Sequence, residues 1–195
     1  MALKMNFDHE ILLKVYTNPQ IANVPDITEI EAKAYAEPAK QAMLKHGCTT
    51  RRRTAHFLAQ AGYESGCFNW LEEFGGPHAW YAPYYGRGAI MLTHRENYQA
   101  IGELMGVNIA NDPKLIGCKN DNPSEWPRNT ARCMEVGPAF FRWRDLWSLA
   151  DRGDAGFEPI MLRVLGAVNH PSYNDRWALY RAMINKLPRS LFVEA

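Results

Sequence analysis

The sequence predicts a mainly helical single domain with at most a small β element. Apolar residues recur at helical spacing along most of the chain, and residues that favour helix ends stand at the boundaries of these segments. Convincing alternation of apolar and polar residues is absent, with a short piece near residues 80–92 as the one candidate. A chain of 195 residues with 47% hydrophobic residues can build one substantial core, so we expect residues 1–195 to form a single domain.

The expected helices follow from this periodicity and from their capping residues. Asp8 and either Thr49 or Thr50 are candidate N-caps, and Gly66 and Gly106 are expected to end helices. The predicted helices cover residues 8–17, 27–45, 51–65, 97–105, 130–147, 158–168 and 174–187. Pro38 is expected to kink or divide the second of them. Ile27, Ile30, Ala34 and Met43 are expected among the apolar positions of that helix.

Charge and composition exclude several classes of function. The net charge of +1 gives no field that would select nucleic acid or an anionic membrane surface. No stretch has the length of a transmembrane helix, and the N-terminus lacks the apolar centre of a signal peptide, so we expect synthesis in the cytoplasm. The four cysteines include no Cys-x-x-Cys pair and the histidines show no metal-ligand spacing; we expect free thiols and neither a metal nor a cofactor. Cys48 and Cys67 flank one predicted helix and should therefore be too far apart for a disulfide.

Two carboxylates in unlike surroundings indicate acid–base chemistry. Glu64 falls in the last turn of a predicted helix, where the helix dipole and burial would raise the pKa of its carboxyl group. Glu73 lies nine residues further on, in a glycine-flanked loop where a solvated carboxylate would remain ionised. Glycoside hydrolysis uses such a pair, one group as proton donor and the other as water activator. The alternative is that both are ordinary surface residues.

The segment after Glu73 adds groups that could bind a glycan. Gly86 and Gly88 flank Arg87 and would allow a tight turn, in which Arg87 either orients Glu64 or stabilises the fold through an ion pair. Several aromatic residues nearby could stack on sugar rings or pack in the core: Trp70, Trp80, Tyr81, Tyr84 and Tyr85.

These motifs together resemble the family 19 glycoside hydrolases, which include chitinases and bacteriophage endolysins. The similarity runs from about residue 50 to 190, through Arg53-x-Ala55-x-Phe57-Leu58-Ala59-Gln60, Glu64-Ser65-Gly66, Tyr85-Gly86-Arg87-Gly88, Asn97-Tyr98, Asp112-Pro113, Phe140-Phe141-x-Trp143, Val168-Asn169 and Asp175-Arg176. The short form, without plant-type loop insertions, and the absence of a signal peptide resemble the endolysins more than the secreted chitinases.

The resemblance implies a bilobed, lysozyme-like α fold with a central substrate groove, and hydrolysis with inversion. It implies that Glu64 is the general acid, Glu73 the general base, with Glu72 as the less favoured alternative, and that Thr93 holds the attacking water. It also implies a set of substrate-binding residues: Tyr85, Arg87, Met91, Asn97, Asn169 and Arg176.

The sequence departs from the family pattern at groove positions. Tyr63 replaces the usual His, Met91 replaces the usual Gln, and Asn169-His170-Pro171 replaces Asn-Gly-Gly. Since Met91 lacks the paired donor and acceptor of an amide, contacts with chitin are in doubt. We therefore expect a monomeric, endolysin-type peptidoglycan hydrolase, made in the host cytoplasm and acting on the bacterial cell wall in the periplasm. The alternatives are a chitinase, an inactive glycan-binding relative and a delivered antibacterial toxin.

Overall fold

The computed structural model describes residues 3–19, 21–117 and 126–194, and within these ranges the chain is mainly helical. Strands β1 (Leu3–Met5) and β2 (Phe192–Glu194) pair antiparallel and join the two ends of the chain. Between them lie α1 (His9–Tyr16), α2 (Glu29–Lys45), α3 (Arg51–Glu64), α4 (Arg95–Met105), α5 (Trp126–Trp143), α6 (Leu146–Ala150), α7 (Phe157–Leu165) and α8 (Tyr173–Lys186). The predicted fold class, mainly α with a small β element, is confirmed.

Helix α3 forms the centre of the core. It begins at Thr50, whose side chain accepts a hydrogen bond from the backbone N–H of Arg53 (3.2 Å). Every residue from Thr54 to Gly62 is buried, as expected for a helix covered on all sides, and the helix packs against α5, α6 and α8. The helix reaches the surface at its first turn and again at its last, and the last turn carries the carboxylate of Glu64 from a rigid core to the edge of the protein.

The buried hydrophobic side chains form one continuous cluster to which all eight described α-helices contribute. A single cluster agrees with the expectation of one domain, although the limits 1–195 stay a prediction. No helix in the described ranges combines the length and the apolar composition that a bilayer span requires.

Most helix ends that the sequence marks with capping residues are confirmed. Asp8 caps α1 with a side-chain hydrogen bond, and Thr50 rather than Thr49 caps α3. Gly106 ends α4 in the left-handed conformation, with φ of +70°. Pro38 lies inside α2 and does not divide it.

The structure corrects the sequence in three places. The helix predicted over residues 130–147 ends at Trp143, because Asp145 adopts a left-handed conformation (φ +49°) and α6 begins after it. Ile30, expected on the buried face of α2, is 81% exposed, and Ala34 is exposed as well. The terminal strands were missed because three residues are too few for an alternating pattern to stand out.

The cysteines follow the prediction in part. Cys48 and Cys67 are free and fully buried, and burial raises the pKa of each thiol to about 12. Cys133 is disulfide-bonded, so the expectation of a free thiol is wrong at this position. Cys118 lies outside the described residues.

His56 is a fully buried titratable group in α3. Its ring stacks on Tyr180 of α8, with 4.1 Å between ring centroids, and its Nε2 lies 3.0 Å from the carbonyl oxygen of Gly153. Burial lowers the pKa of His56 to about 4, because the cationic ring would lose its hydration. The neutral ring is therefore part of the packing between α3 and α8.

Acid should destabilise the protein partly through His56. The unfolded chain takes up this proton near pH 6.5 and the folded chain only near pH 4, so stability present above pH 6.5 is lost as the pH falls through this window. The ceiling of this contribution is about 3 kcal/mol. A His56→Gln variant keeps a donor for the Gly153 carbonyl and should lose stability less steeply between pH 6.5 and 4 in urea titrations. The exposed His78→Gln variant is the control, and equal slopes for all three proteins would contradict the assignment.

Candidate active site

A groove with a volume of about 330 Å³ runs over the end of α3. Three parts of the chain form its walls: the end of α3 with Glu64, the segment 90–94 with Asn97 of α4, and the ends of α5 and α7. The lining residues are Glu64, Ile90, Met91, Leu92, Thr93, His94, Asn97, Phe140, Trp143, Arg144, Leu162, Arg163, Val164 and Gly166. The structure thus brings together four of the predicted site residues.

Glu64 is held by a buried arginine from α8. The Nη2 of Arg176 donates to Glu64 Oε1 (2.5 Å), its Nη1 to Gln60 Oε1 (2.8 Å) and its Nε to Ser172 Oγ (3.0 Å). The guanidinium also lies over the ring of Tyr63, 4.3 Å from the centroid. The side chain of Arg176 is only 2% exposed and is not among the groove-lining residues, so its predicted contact with substrate has no support from the geometry. Its place behind Glu64 makes it a positioning residue.

This ion pair changes the expected electrostatics of Glu64. The helix dipole and partial burial were expected to disfavour a negative charge there, whereas an adjacent guanidinium stabilises one. The side chain of Glu64 keeps 20% of its surface exposed and reaches the groove. One oxygen therefore faces a fixed cation, while the group as a whole remains accessible from the groove.

Glu73 lies in the loop after α3 and is fixed by two hydrogen-bond donors. Its Oε2 accepts from the backbone N–H of Gly86 (2.7 Å) and its Oε1 from the hydroxyl of Tyr81 (2.5 Å), and the Glu73 carboxylate holds the pKa of Tyr81 above its usual value. Glu73 is not among the groove-lining residues, but it lies near Met91, which is one of them. A β-carbon placed on Gly86 would lie 3.3 Å from both Glu73 Oε2 and the Sδ of Met91.

Glu72, the alternative base, belongs to a different network. Its Oε1 accepts from the hydroxyl of Tyr85 (2.6 Å) and from Nε of Arg87 (3.2 Å). The Arg87 guanidinium lies 3.6 Å from the centroid of the Tyr85 ring and donates to the hydroxyl of Tyr98 (2.9 Å) and the carbonyl of Pro83 (2.8 Å). Arg87 and Tyr85 are both buried, so their predicted role in substrate binding has no support from the geometry and stays a prediction. They support the loop from beneath, the structural alternative that the sequence had left open for Arg87.

Two adjacent glycines show that this loop is tightly packed on one side and open on the other. A β-carbon on Gly76 would come within 2.2 Å of the Tyr85 ring, so only glycine fits there. Gly75, at the tip of the loop, has a left-handed conformation with φ of +73° and open space around it.

Thr93, Met91 and Asn97 line the groove as predicted. The Thr93 hydroxyl donates to the carbonyl oxygen of Met91 (2.9 Å), and the Asn97 amide donates to the carbonyl oxygen of Thr93 (2.7 Å). The hydroxyl proton of Thr93 is therefore committed to the backbone, which leaves its oxygen lone pairs available to accept a hydrogen bond from a water molecule.

Asn169 is not brought into this groove. It is exposed in the connection between α7 and α8 and is absent from the lining, so its predicted contact with substrate has no support from the geometry. Among the described residues, no three His, Cys, Asp or Glu side chains gather as a metal site requires.

Sequence reasoning missed the opposite wall of the groove. This wall includes Phe140 and Trp143 at the end of α5, and Arg144 directly after it. Leu162 and Arg163 of α7 line the same groove as Glu64. The spacing of Phe140 and Trp143 marks one face of a helix. It gives no sign that this face borders a groove, because the helix is apolar on its core side as well. Tyr81, which holds Glu73, was considered only as a stacking residue.

Solved structures share this fold. A bacterial family 19 chitinase superimposes with a TM-score of 0.59 at 17% identity, covering 92% of this chain and 93% of its own. A family 19 class IV chitinase from Zea mays gives 0.59 at 18%, covering 92% of both chains, and chitinase C from Streptomyces griseus gives 0.58 at 21%, covering 92% and 72%. The lysozyme-like α fold expected from the sequence is thereby confirmed.

Curated sequences match over a shorter stretch. Chitinase 11 of Oryza sativa subsp. japonica is 39% identical over an alignment of 79 positions that covers 35% of this chain and 30% of that protein. A basic endochitinase of Vitis vinifera is 33% identical over an alignment of 92 positions that covers 35% of this chain and 29% of that protein. The matches thus span less than a third of these relatives. No family model matches the chain.

Removing Arg176 should cost stability as well as orientation of Glu64. An Arg176→Met variant leaves Glu64 and Gln60 without their shared donor, and we expect a loss of roughly 2 kcal/mol, below the value for a fully buried pair because Glu64 is partly solvated. Arg181 lies on α8 like Arg176, and it forms an exposed ion pair with Asp154. The Arg181→Met variant breaks this pair and should cost less than about 1 kcal/mol. Urea unfolding measures both, and equal losses would contradict the central position of Arg176.

Proposed function

We propose that this protein is a glycoside hydrolase that cleaves β-1,4 links between N-acetylated amino sugars. The observation that carries the proposal is the groove in which Glu64 lies with Thr93, beside a second carboxylate, Glu73, that is held in an unlike setting. One carboxylate sits on a rigid helix end and the other in a loop fixed by donors. The relatives described above, which are named chitinases or endochitinases, support the same class of reaction.

In the proposed mechanism Glu64, in its protonated form, donates its proton to the glycosidic oxygen as the bond to the anomeric carbon breaks. Glu73 accepts a proton from a water molecule as that water attacks the anomeric carbon from the opposite face, and Thr93 orients the water by accepting a hydrogen bond. Solvent then returns a proton to Glu64 and takes one from Glu73. Arg176 keeps Glu64 in place and stabilises its charge after the proton has left.

The local contacts favour Glu73 over Glu72 as the base. Glu72 is engaged by Arg87 and Tyr85, two buried residues that depend on it as a partner. Glu73 is held by a backbone N–H and by Tyr81, and it lies next to Met91 at the edge of the groove. Withdrawing Glu72 for catalysis would leave a buried cation unpaired, which carries a large penalty.

Chitin is the substrate that the relatives support best. Peptidoglycan is the second candidate, as expected for an endolysin made in a host cytoplasm and acting on the wall in the periplasm. It shares the β-1,4 amino-sugar backbone and carries acidic substituents on alternate sugars. The observation that favours it is the pair of arginines in the groove, Arg144 and Arg163, together with the departures at Tyr63 and Met91.

Substitution of the two carboxylates tests the mechanism. Glu64→Gln should lower kcat on chitin oligomers or peptidoglycan at least about 100-fold, and Glu73→Gln by a similar factor, since each removes one proton-transfer step. Glu72→Gln is the matched neighbour and should change kcat less than threefold while lowering the unfolding midpoint. Full activity of Glu64→Gln would refute the proposal, and loss of kcat in Glu72→Gln alone would move the base to that residue.

The stereochemistry of the first product tests the single displacement. Inversion of a β-link gives the α-anomer, whose signal should precede the β-anomer in time-resolved proton NMR spectra of hydrolysed oligomers. Initial formation of the β-anomer would indicate a covalent intermediate instead. Binding to glycan with no product of either kind would leave a glycan-binding protein as the remaining reading.

A further inference from the structure

Two arginines give the far wall of the groove a positive charge. Arg144 follows the end of α5, Arg163 lies on α7, and both line the groove that contains Glu64. Among the lining residues Glu64 is the only carboxylate, and it is already paired with Arg176 outside the groove. The charge of the two arginines therefore has no counterpart within the lining.

Arg163 is fixed in place by the end of α5. Its Nη1 donates to the carbonyl oxygens of Arg144 (2.8 Å) and Asp145 (3.1 Å), and its side chain remains 42% exposed. The nearest carboxylate, on Asp145, is 4.0 Å away and is itself 73% exposed, so the pair is weak. Within the described part of the chain, its Nε and Nη2 make no hydrogen bond. A positioned guanidinium thus keeps three N–H donors for a ligand.

Arg144 is placed beside an apolar platform. Its guanidinium lies 5.2 Å from the ring centroid of Trp143, close enough for a cation–π contact. Trp143 packs edge-on against Phe140, with 5.9 Å between centroids, and both line the groove with the exposed Leu162. Such a surface suits the apolar face of a sugar ring, and both arginines line the same groove.

We propose that Arg144 and Arg163 form a binding site for a carboxylate substituent of the glycan. This inference rests on the proposed glycosidase function and specifies its substrate as an acidic, muramyl-containing polymer. In intact peptidoglycan the lactyl carboxyl of the muramyl sugar is bound in an amide link to the peptide, so the free carboxylates are those of the peptide. Stripping the peptide from the strands sets the lactyl carboxylate free. The planar guanidinium fork matches a carboxylate from either source. A neutral chitin chain offers no such partner for the two arginines.

The test compares four substrates that carry different acidic groups, of which intact and amidated peptidoglycan form the matched pair. They are neutral N-acetylglucosamine oligomers, intact peptidoglycan, glycan strands stripped of peptide, and peptidoglycan whose carboxyl groups have been amidated. We expect Arg144→Gln and Arg163→Gln each to raise KM about tenfold on intact peptidoglycan, with kcat nearly unchanged, and to have less than a twofold effect on neutral oligomers and on amidated wall. An effect on intact wall that is lost on stripped strands assigns the peptide carboxylates, whereas an effect that persists on stripped strands shows that the site also accepts the lactyl carboxylate that stripping sets free.

Two variants control for charge and for stability. Arg142→Gln removes an exposed arginine of α5 that does not line the groove, and it should behave as the wild type on all four substrates. Arg163→Lys retains the charge without the fork and should fall between the wild type and Arg163→Gln. Unfolding midpoints identify any variant that fails because α5 has lost its contact with Arg163. Equal losses on acidic and neutral substrates, in variants that fold normally, would overturn the inference.

A binding measurement separates this inference from the proposed activity. Glu64→Gln protein is sedimented with intact and with amidated peptidoglycan over a range of salt concentrations. We expect the protein to bind the intact wall at least tenfold more tightly than the amidated wall, and this binding should weaken as the salt concentration rises. The Arg144→Gln change, added to Glu64→Gln, should abolish the difference between the two walls. If the wild type hydrolyses no glycan but this difference is seen, the proposed function fails and the carboxylate site stands. If hydrolysis occurs and amidation changes nothing, the carboxylate site fails alone.

Discussion

The ion pair between Arg176 and Glu64 joins the two helices on which the site depends. Residues 112 positions apart in the chain meet because α3 and α8 pack along one another in the core. Arg176 contacts Gln60 and Ser172 as well, so its guanidinium is held from several directions and cannot follow Glu64 into another rotamer. The packing of α8 against α3 in the core therefore determines the position of the Glu64 carboxylate. Any change that shifts one helix against the other will move this carboxylate too.

The second carboxylate is held by a different principle. Glu73 belongs to a loop, and its position depends on the backbone N–H of Gly86 and on Tyr81 rather than on a helix. The loop in turn rests on the buried network of Glu72, Arg87 and Tyr85. The two neighbouring glutamates thus have different partners. Glu72 binds the buried pair Arg87 and Tyr85, whereas Glu73, the proposed base, is held by Gly86 and Tyr81.

How far the sequence predicted this structure depends on the range of the interactions. Helix ends such as Asp8 and Gly106 were predicted because capping is decided within one turn. Glu64, Thr93 and Asn97 were placed in the groove through the family resemblance. Burial of Arg87 and Arg176 was not foreseen, because arginine is usually exposed and its partners lie far away in sequence or in backbone groups. The break before α6 was missed because nothing in its local composition marks a left-handed Asp145.

The contrast between Gly75 and Gly76 has a consequence for how such a groove can change over evolution. Gly76 is pressed against Tyr85, whereas the tip at Gly75 meets nothing within 4 Å. Extra residues inserted at the tip would extend into solvent, where lengthening a loop costs little, and would leave the hydrogen bonds of Glu73 intact. The loop can therefore become longer at Gly75, and so accommodate longer or bulkier polymers, while the position of Glu73 stays unchanged.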